Sequence, residues 1–161
     1  MKRTTVKELF AEPEKWSGQT ITVAGWARSI RASNAGNYDF HLALHSNAAP
    51  PSRRGQVRGV DIYYYPGSTQ ALRMANIIVD NIKPIYPLPE RVRTVASNGL
   101  YELRNTRAPA VLCELGYHDN VDDAQWVENN LTSIARALVL SVTEYFGLPL
   151  FQAKRTLCFY Q

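Results

Sequence analysis

Hydrophobic and polar positions divide the chain into short periodic blocks, each of which predicts an element. Thr5, Val6, Lys7 and Glu8 form a capping box, in which the hydroxyl takes one free amide of a first helical turn and the carboxylate another. Pro13 and Gly18 end that short helix, and residues 19–31 are rich in strand formers, with Ile21 and Val23 on one face and Trp26 and Ile30 on the other. From Tyr38 the pattern changes to that of an α/β domain. Residues 38–45 read as an apolar strand, 46–59 as a polar loop, and 59–65 as a second strand stopped by Pro66 and Gly67. Ser68 is placed to cap a helix whose Leu72, Ala75, Ile78, Val79 and Ile82 make one apolar stripe, which Pro84, Pro87 and Pro89 then break. Residues 91–107 read as a polar stretch with a turn at Asn98-Gly99. Residues 110–115 predict a third strand, apolar enough to be central in a parallel sheet. Asn120 opens a helix with Asp122 and Asp123 beside its dipole. Leu131, Ile134, Ala135, Leu138, Val142 and Tyr145 form its stripe, and Gly147 and Pro149 close it.

Composition narrows the class. With 161 residues and 45% hydrophobic content, the chain suits one compact domain with a small appendage. It has no run of about 18 apolar residues for a membrane span. The basic N-terminus lacks an apolar core, so no secretory signal is visible; location is left open between cytoplasm and cell wall. Cys113 and Cys158 do not make a disulfide framework. The net charge of +4 is uneven: residues 36–107 carry nine basic and five acidic groups, residues 108–150 one and six. No run of five like charges occurs, so this reads as solvated surface, with Arg53, Arg54 and Arg58 in an exposed loop. Alternation puts part of the Tyr63-Tyr64-Tyr65 run in the core and leaves the rest for stacking on sugars.

Two positions carry chemistry. His45 sits at the carboxyl end of one predicted strand and Glu114 near that of another. In open α/β sheets ligands bind outside those ends, so both side chains are expected in one crevice. A neutral imidazole ligates zinc, and an unligated glutamate beside it takes a proton from bound water. Cys113 alternates away from Glu114 and is expected to pack under a helix. His41 shares a face with His45 but lies about 13 Å down the strand, too far to share a metal.

The segments His41-Leu-Ala-Leu-His45-Ser-Asn47, Gly59-Val-Asp-Ile-Tyr-Tyr-Tyr65 and Ala108-Pro-Ala-Val-Leu-Cys-Glu114-Leu-Gly-Tyr-His-Asp-Asn120 together resemble the zinc-dependent N-acetylmuramoyl-L-alanine amidases. The resemblance runs from about Asn34 to Leu150. It implies a mostly parallel or mixed sheet flanked by helices, with Zn2+ at the strand ends and peptidoglycan as substrate. The activity it implies is cleavage of the amide joining the N-acetylmuramic acid lactyl group to L-alanine. His45 matches the family's third zinc ligand and Glu114 its catalytic glutamate; His118 is a minor candidate as substitute ligand. The family's first two ligands, a histidine in a Gly-His-Gly-Gly-like turn and a glutamate, have no matching motif upstream of His45. The resemblance therefore implies an impaired enzyme with an incomplete zinc site.

Residues 1–34 carry a different likeness. Lys7-Glu-Leu-Phe-Ala and Gly18-Gln-Thr-Ile-Thr-Val-Ala-Gly25-Trp26-Ala-Arg28-Ser-Ile-Arg31 resemble the start of the anticodon-binding OB domain of asparaginyl-tRNA synthetase. Trp26 and Arg28 are the weak nucleic-acid candidates this implies. One strand does not close a five-stranded barrel, so nucleic acid is not expected as a partner. The organisation expected is a helix-and-strand appendage at 1–34, an N-terminally truncated amidase-like α/β domain at 35–150 and an irregular tail at 151–161. Strand 19–31 is expected to pair with an exposed sheet edge, and an open edge invites oligomerisation. The competing readings are a non-catalytic binding module for peptidoglycan or tRNA, and a non-functional fusion product.

Overall fold

The computed structural model describes residues 39–148. The expected N-terminal helix and strand and the tail at 151–161 lie outside the described residues. The elements in chain order are β1 (His41–Asn47), β2 (Val60–Tyr64), α1 (Thr69–Ile82), β3 (Val92–Ala96), α2 (Tyr101–Arg104), β4 (Ala110–Tyr117) and α3 (Val121–Phe146). The strands form one sheet in the order β1-β4-β2-β3. β4 runs parallel to β1 and antiparallel to β2, and β2 runs parallel to β3. The result is a mixed sheet flanked by helices. β4 is central as expected, but its surroundings are not all parallel: β2 runs opposite to β1, so a strand between them must oppose one of the two.

Alternation explains the two faces of the sheet. Val60 and Ile62 of β2, Val92 of β3, and Val111 and Cys113 of β4 point to one side. There they meet Met74, Ile78 and Ile82 of α1 and Trp126, Ile134 and Leu138 of α3. Each such side chain contributes about 1.5–3 kcal/mol on full burial. The opposite face carries a smaller cluster of Ala43, Ala110, Leu112 and, from α2, Leu103. The carboxyl end of β4 on that face is left to polar residues. Among the described residues no helix is long and apolar enough to cross a membrane.

Helix α1 starts as expected, with Ser68 Oγ accepting a hydrogen bond from the Ala71 amide. Two other expectations need correction. The stretch 91–107 holds β3 and α2. Among the described residues β3 is an edge strand, and its exposed Arg93 disguises the alternation. In α3, Leu131 is 59% exposed and Ala135 is also exposed. The helix departs from helical geometry at Asn130 (φ −121°, ψ 17°), whose Nδ2 donates to the Trp126 carbonyl at 2.8 Å. That break shifts the buried face to Ile134, Ala137, Leu138 and Ser141.

Asp123 is more than a charge beside a helix dipole. It is fully buried and takes the Gly59 amide (3.0 Å) and the Tyr117 amide (2.9 Å) on Oδ2. Its Oδ1 takes the Tyr86 hydroxyl (2.6 Å) and Arg58 Nε (3.2 Å). Four donors compensate the desolvation of a buried carboxylate. Arg58 also reaches Asp122 at 2.7 Å and is thus part of this node rather than of a solvated loop. Gly116 packs here with φ 78°, and a Cβ added to it meets Asp123 Cβ at 3.2 Å. The node fixes the end of β4, where the functional side chains stand.

Candidate active site

Because β1 and β4 are parallel neighbours, their carboxyl ends open at the same edge of the sheet. His45 and Glu114 are direct register partners there. Glu114 is matched across β2 by Asp61, and Asp61 across β3 by Arg93. Side chains at matched register share a face. The four therefore make a transverse row, His45-Glu114-Asp61-Arg93, on the face turned away from α1 and α3.

Each member of the row has a distinct environment. Asp61 is buried and accepts from Arg93 Nε at 2.6 Å and from the Tyr117 hydroxyl at 3.4 Å. Burial, reinforced by the Asp61 charge, pushes Tyr117 up to about 12. Glu114 is half-buried, and its Oε2 is buried with no hydrogen-bond partner. Burial pushes this carboxyl above the ordinary glutamate range; His45 opposes the shift and Asp61 adds to it. A partly desolvated carboxyl without a hydrogen bond thus stands beside one held by Arg93 and the Tyr117 hydroxyl, and the two environments differ as acid–base chemistry requires.

His45 is exposed, with its Nε2 3.8 Å from Glu102 Oε1. The other oxygen of Glu102 stands 3.4 Å from His41 Nε2. One carboxylate from α2 thus lies between two rings that the strand spacing alone keeps apart. Sequence reasoning misses Glu102, since α2 is four residues long and too short to show a period. His118 lies just past β4; its amide donates to the Asn47 carbonyl at 2.9 Å and its Nδ1 is 3.2 Å from Ser46 Oγ. Cys113 is buried on the helix side, and burial pushes its thiol well above the usual range, which disables it as a nucleophile. Trp26 and Arg28 lie outside the described residues.

Catalytic zinc normally takes three protein ligands. Among the described residues no group of three or more His, Cys, Asp or Glu side chains is arranged to hold a metal ion. His45, His118 and the carboxylates near them do not fit a complete zinc site.

Comparison with known proteins places this geometry. The amidase CwlM of Bacillus licheniformis is 28% identical over 135 residues, covering 82% of this chain and 49% of CwlM, so the chain spans about half that relative's length. The CwlD amidase of Clostridioides difficile, solved in complex with the GerS lipoprotein, matches with a TM-score of 0.61 at 19% identity, covering 72% of this chain and 57% of that one. At that identity the match speaks for the fold alone. A short segment of 35 residues, 22% of the chain, is 49% identical to the asparagine–tRNA ligase of Alkaliphilus metalliredigens, of which it covers 8%. The family model for N-acetylmuramoyl-L-alanine amidase matches residues 19–144, the whole sheet with its transverse row included. By that match, the chain belongs to the N-acetylmuramoyl-L-alanine amidase family.

Proposed function

We propose that this chain is a peptidoglycan amidase domain directed at the amide between the N-acetylmuramic acid lactyl group and L-alanine, with impaired catalysis. Glu114 acts as the acid–base group. Its carboxylate takes a proton from the attacking water as the new carbon–oxygen bond forms, and returns it to the alanyl nitrogen as the carbon–nitrogen bond breaks. The single observation that carries this reading is the register pairing of His45 with Glu114, whose Oε2 is buried and without a hydrogen bond. His45 and Glu114 are the residues of the family's zinc chemistry that this chain retains. With no three-ligand set around His45 among the described residues, this reading has zinc held weakly.

The test is release of L-alanyl peptide from peptidoglycan, followed by mass spectrometry. Slow release is expected from the full chain, falling about 10²-fold or to background in Glu114→Gln. Equal release by the variant overturns the role of Glu114. Near-stoichiometric zinc that survives dialysis and is lost in His45→Ala overturns the impairment.

We read residues 1–34 as a segment of separate origin, its second half overlapped by the family match that begins at residue 19, fused ahead of an amidase-like part at 35–150 and a tail at 151–161. The 35-residue likeness to a tRNA ligase supports this. Nucleic-acid binding forms no part of the reading, and salt-sensitive retention of tRNA by the full chain counts against it.

A further inference from the structure

The transverse row does not stop at the acid–base group. It ends at Arg93, to which the amidase reading gives no task. Arg93 stands two strands from Glu114 on the same face, with Asp61 between them. At about 4.8 Å per strand, the two backbones are roughly 10 Å apart.

The pair formed by Arg93 and Asp61 differs from an ordinary surface ion pair, in which both groups are solvated and mobile. Here the Asp61 side chain is 4% exposed while that of Arg93 is 66% exposed. The carboxylate is anchored inside, braced by the Tyr117 hydroxyl, and it grips the guanidinium by its Nε edge at 2.6 Å, with Nη2 at 3.5 Å. A guanidinium has five donors in a fixed fork, so holding the Nε edge leaves the Nη1 donors outside this pair, on a side chain that is mostly exposed. A fork presented this way takes a second carboxylate at little cost in side-chain ordering.

We propose that Arg93 forms an anion subsite for a free carboxylate of the stem peptide, on the residue that follows the L-alanine of the scissile amide; this rests on the amidase reading above. An extended peptide advances about 3.5 Å per residue, so that carboxylate lies about 7 Å from the scissile nitrogen. A substrate amide poised at Glu114 therefore brings its second residue within reach of the Arg93 side chain. Asp61 is the positioning residue that aims it. Stems whose carboxylate is converted to an amide lose this contact.

The test uses calorimetry on the full chain with two probes, N-acetylmuramoyl-L-alanyl-D-glutamate and its α-amide. The wild type is expected to bind the acid about tenfold more tightly than the amide. In Arg93→Gln the two affinities converge, while that for the amide stays unchanged. Because Arg93→Gln strands the buried Asp61 charge, the double variant Asp61→Asn/Arg93→Gln is measured beside it, and the same convergence is expected. Equal binding of both probes by the wild type overturns the subsite. So does an acid preference that survives in either variant. If the wild type binds neither probe, the amidase reading falls and the subsite falls with it.

Discussion

At the scale of single residues, the polar groups of this chain take their roles from partners distant in sequence, as Asp61 does from Arg93 and Asp123 from Gly59. His45 and Glu114 announce themselves as polar groups at the ends of apolar strands, and the register joins them. At Asp123 the dependence on distant partners is measurable. Both its oxygens accept, two donors each, so Asp123→Asn turns an amide donor toward either the two backbone amides or the Tyr86 hydroxyl and Arg58. Asp123→Asn, although isosteric, is expected to cost on the order of 3 kcal/mol in denaturant unfolding, because charged and polar partners are left buried and unpaired. A loss below about 1 kcal/mol shows that the node contributes little to stability. Glu114 gives the opposite sign. Its folded pKa lies above the unfolded value, so the folded state holds the proton more tightly and stability falls as pH rises past the ordinary glutamate range. Glu114→Gln is therefore expected to melt above the wild type at pH 7. That advantage shrinks on acidification toward pH 4, and a parallel pair of melting curves across that range contradicts it.

Among the elements, what could be read depended on local signals strong enough to outvote context. Helix α1 declares itself through Ser68 and a clean apolar stripe. Helix α3 does so through Asn120 at its start and Gly147, with φ 64°, at its end. The edge strand β3 and the single-turn α2 lack such marks, since an edge strand tolerates Arg93 and one turn is too short for a period. The break at Asn130 was illegible for another reason. It depends on a side-chain amide reaching back to the Trp126 carbonyl, a choice that Asn offers anywhere in a helix. The cap at Asn120 serves two elements at once. Its Oδ1 takes the Asp122 and Asp123 amides, and its Nδ2 donates to the Gly55 carbonyl at 2.7 Å, tying the loop before β2 to the start of α3. Asn120→Ala should therefore cost about 2 kcal/mol, the upper end for an N-cap. Asn120→Ser, which restores an acceptor but no donor, should recover about half. If instead Asn120→Ser is as stable as the wild type in urea unfolding, the Gly55 contact contributes nothing.

For the whole molecule, strand order does what no segment does alone. The row from His45 to Arg93 draws one residue from each of four strands spread over residues 41–117. Its assembly requires β4 to enter between β1 and β2, a placement that periodicity cannot report because alternation fixes a face and not a neighbour. Among the described residues, the same order leaves β1 at an edge of the sheet with Leu44 47% exposed. An edge that carries an exposed leucine instead of a charge invites pairing with another chain. Association that grows with protein concentration is expected in size-exclusion chromatography with light scattering. Leu44→Lys should shift the population toward monomer without lowering the melting temperature by more than a few degrees, since the site is exposed. A wild type that stays monomeric up to millimolar concentration overturns the expectation. A lysine variant that associates as readily as the wild type moves the contact to another face of the molecule. Either result leaves the transverse row intact, because that row is built on the pairing of β1 with β4 and not on the outer edge of β1.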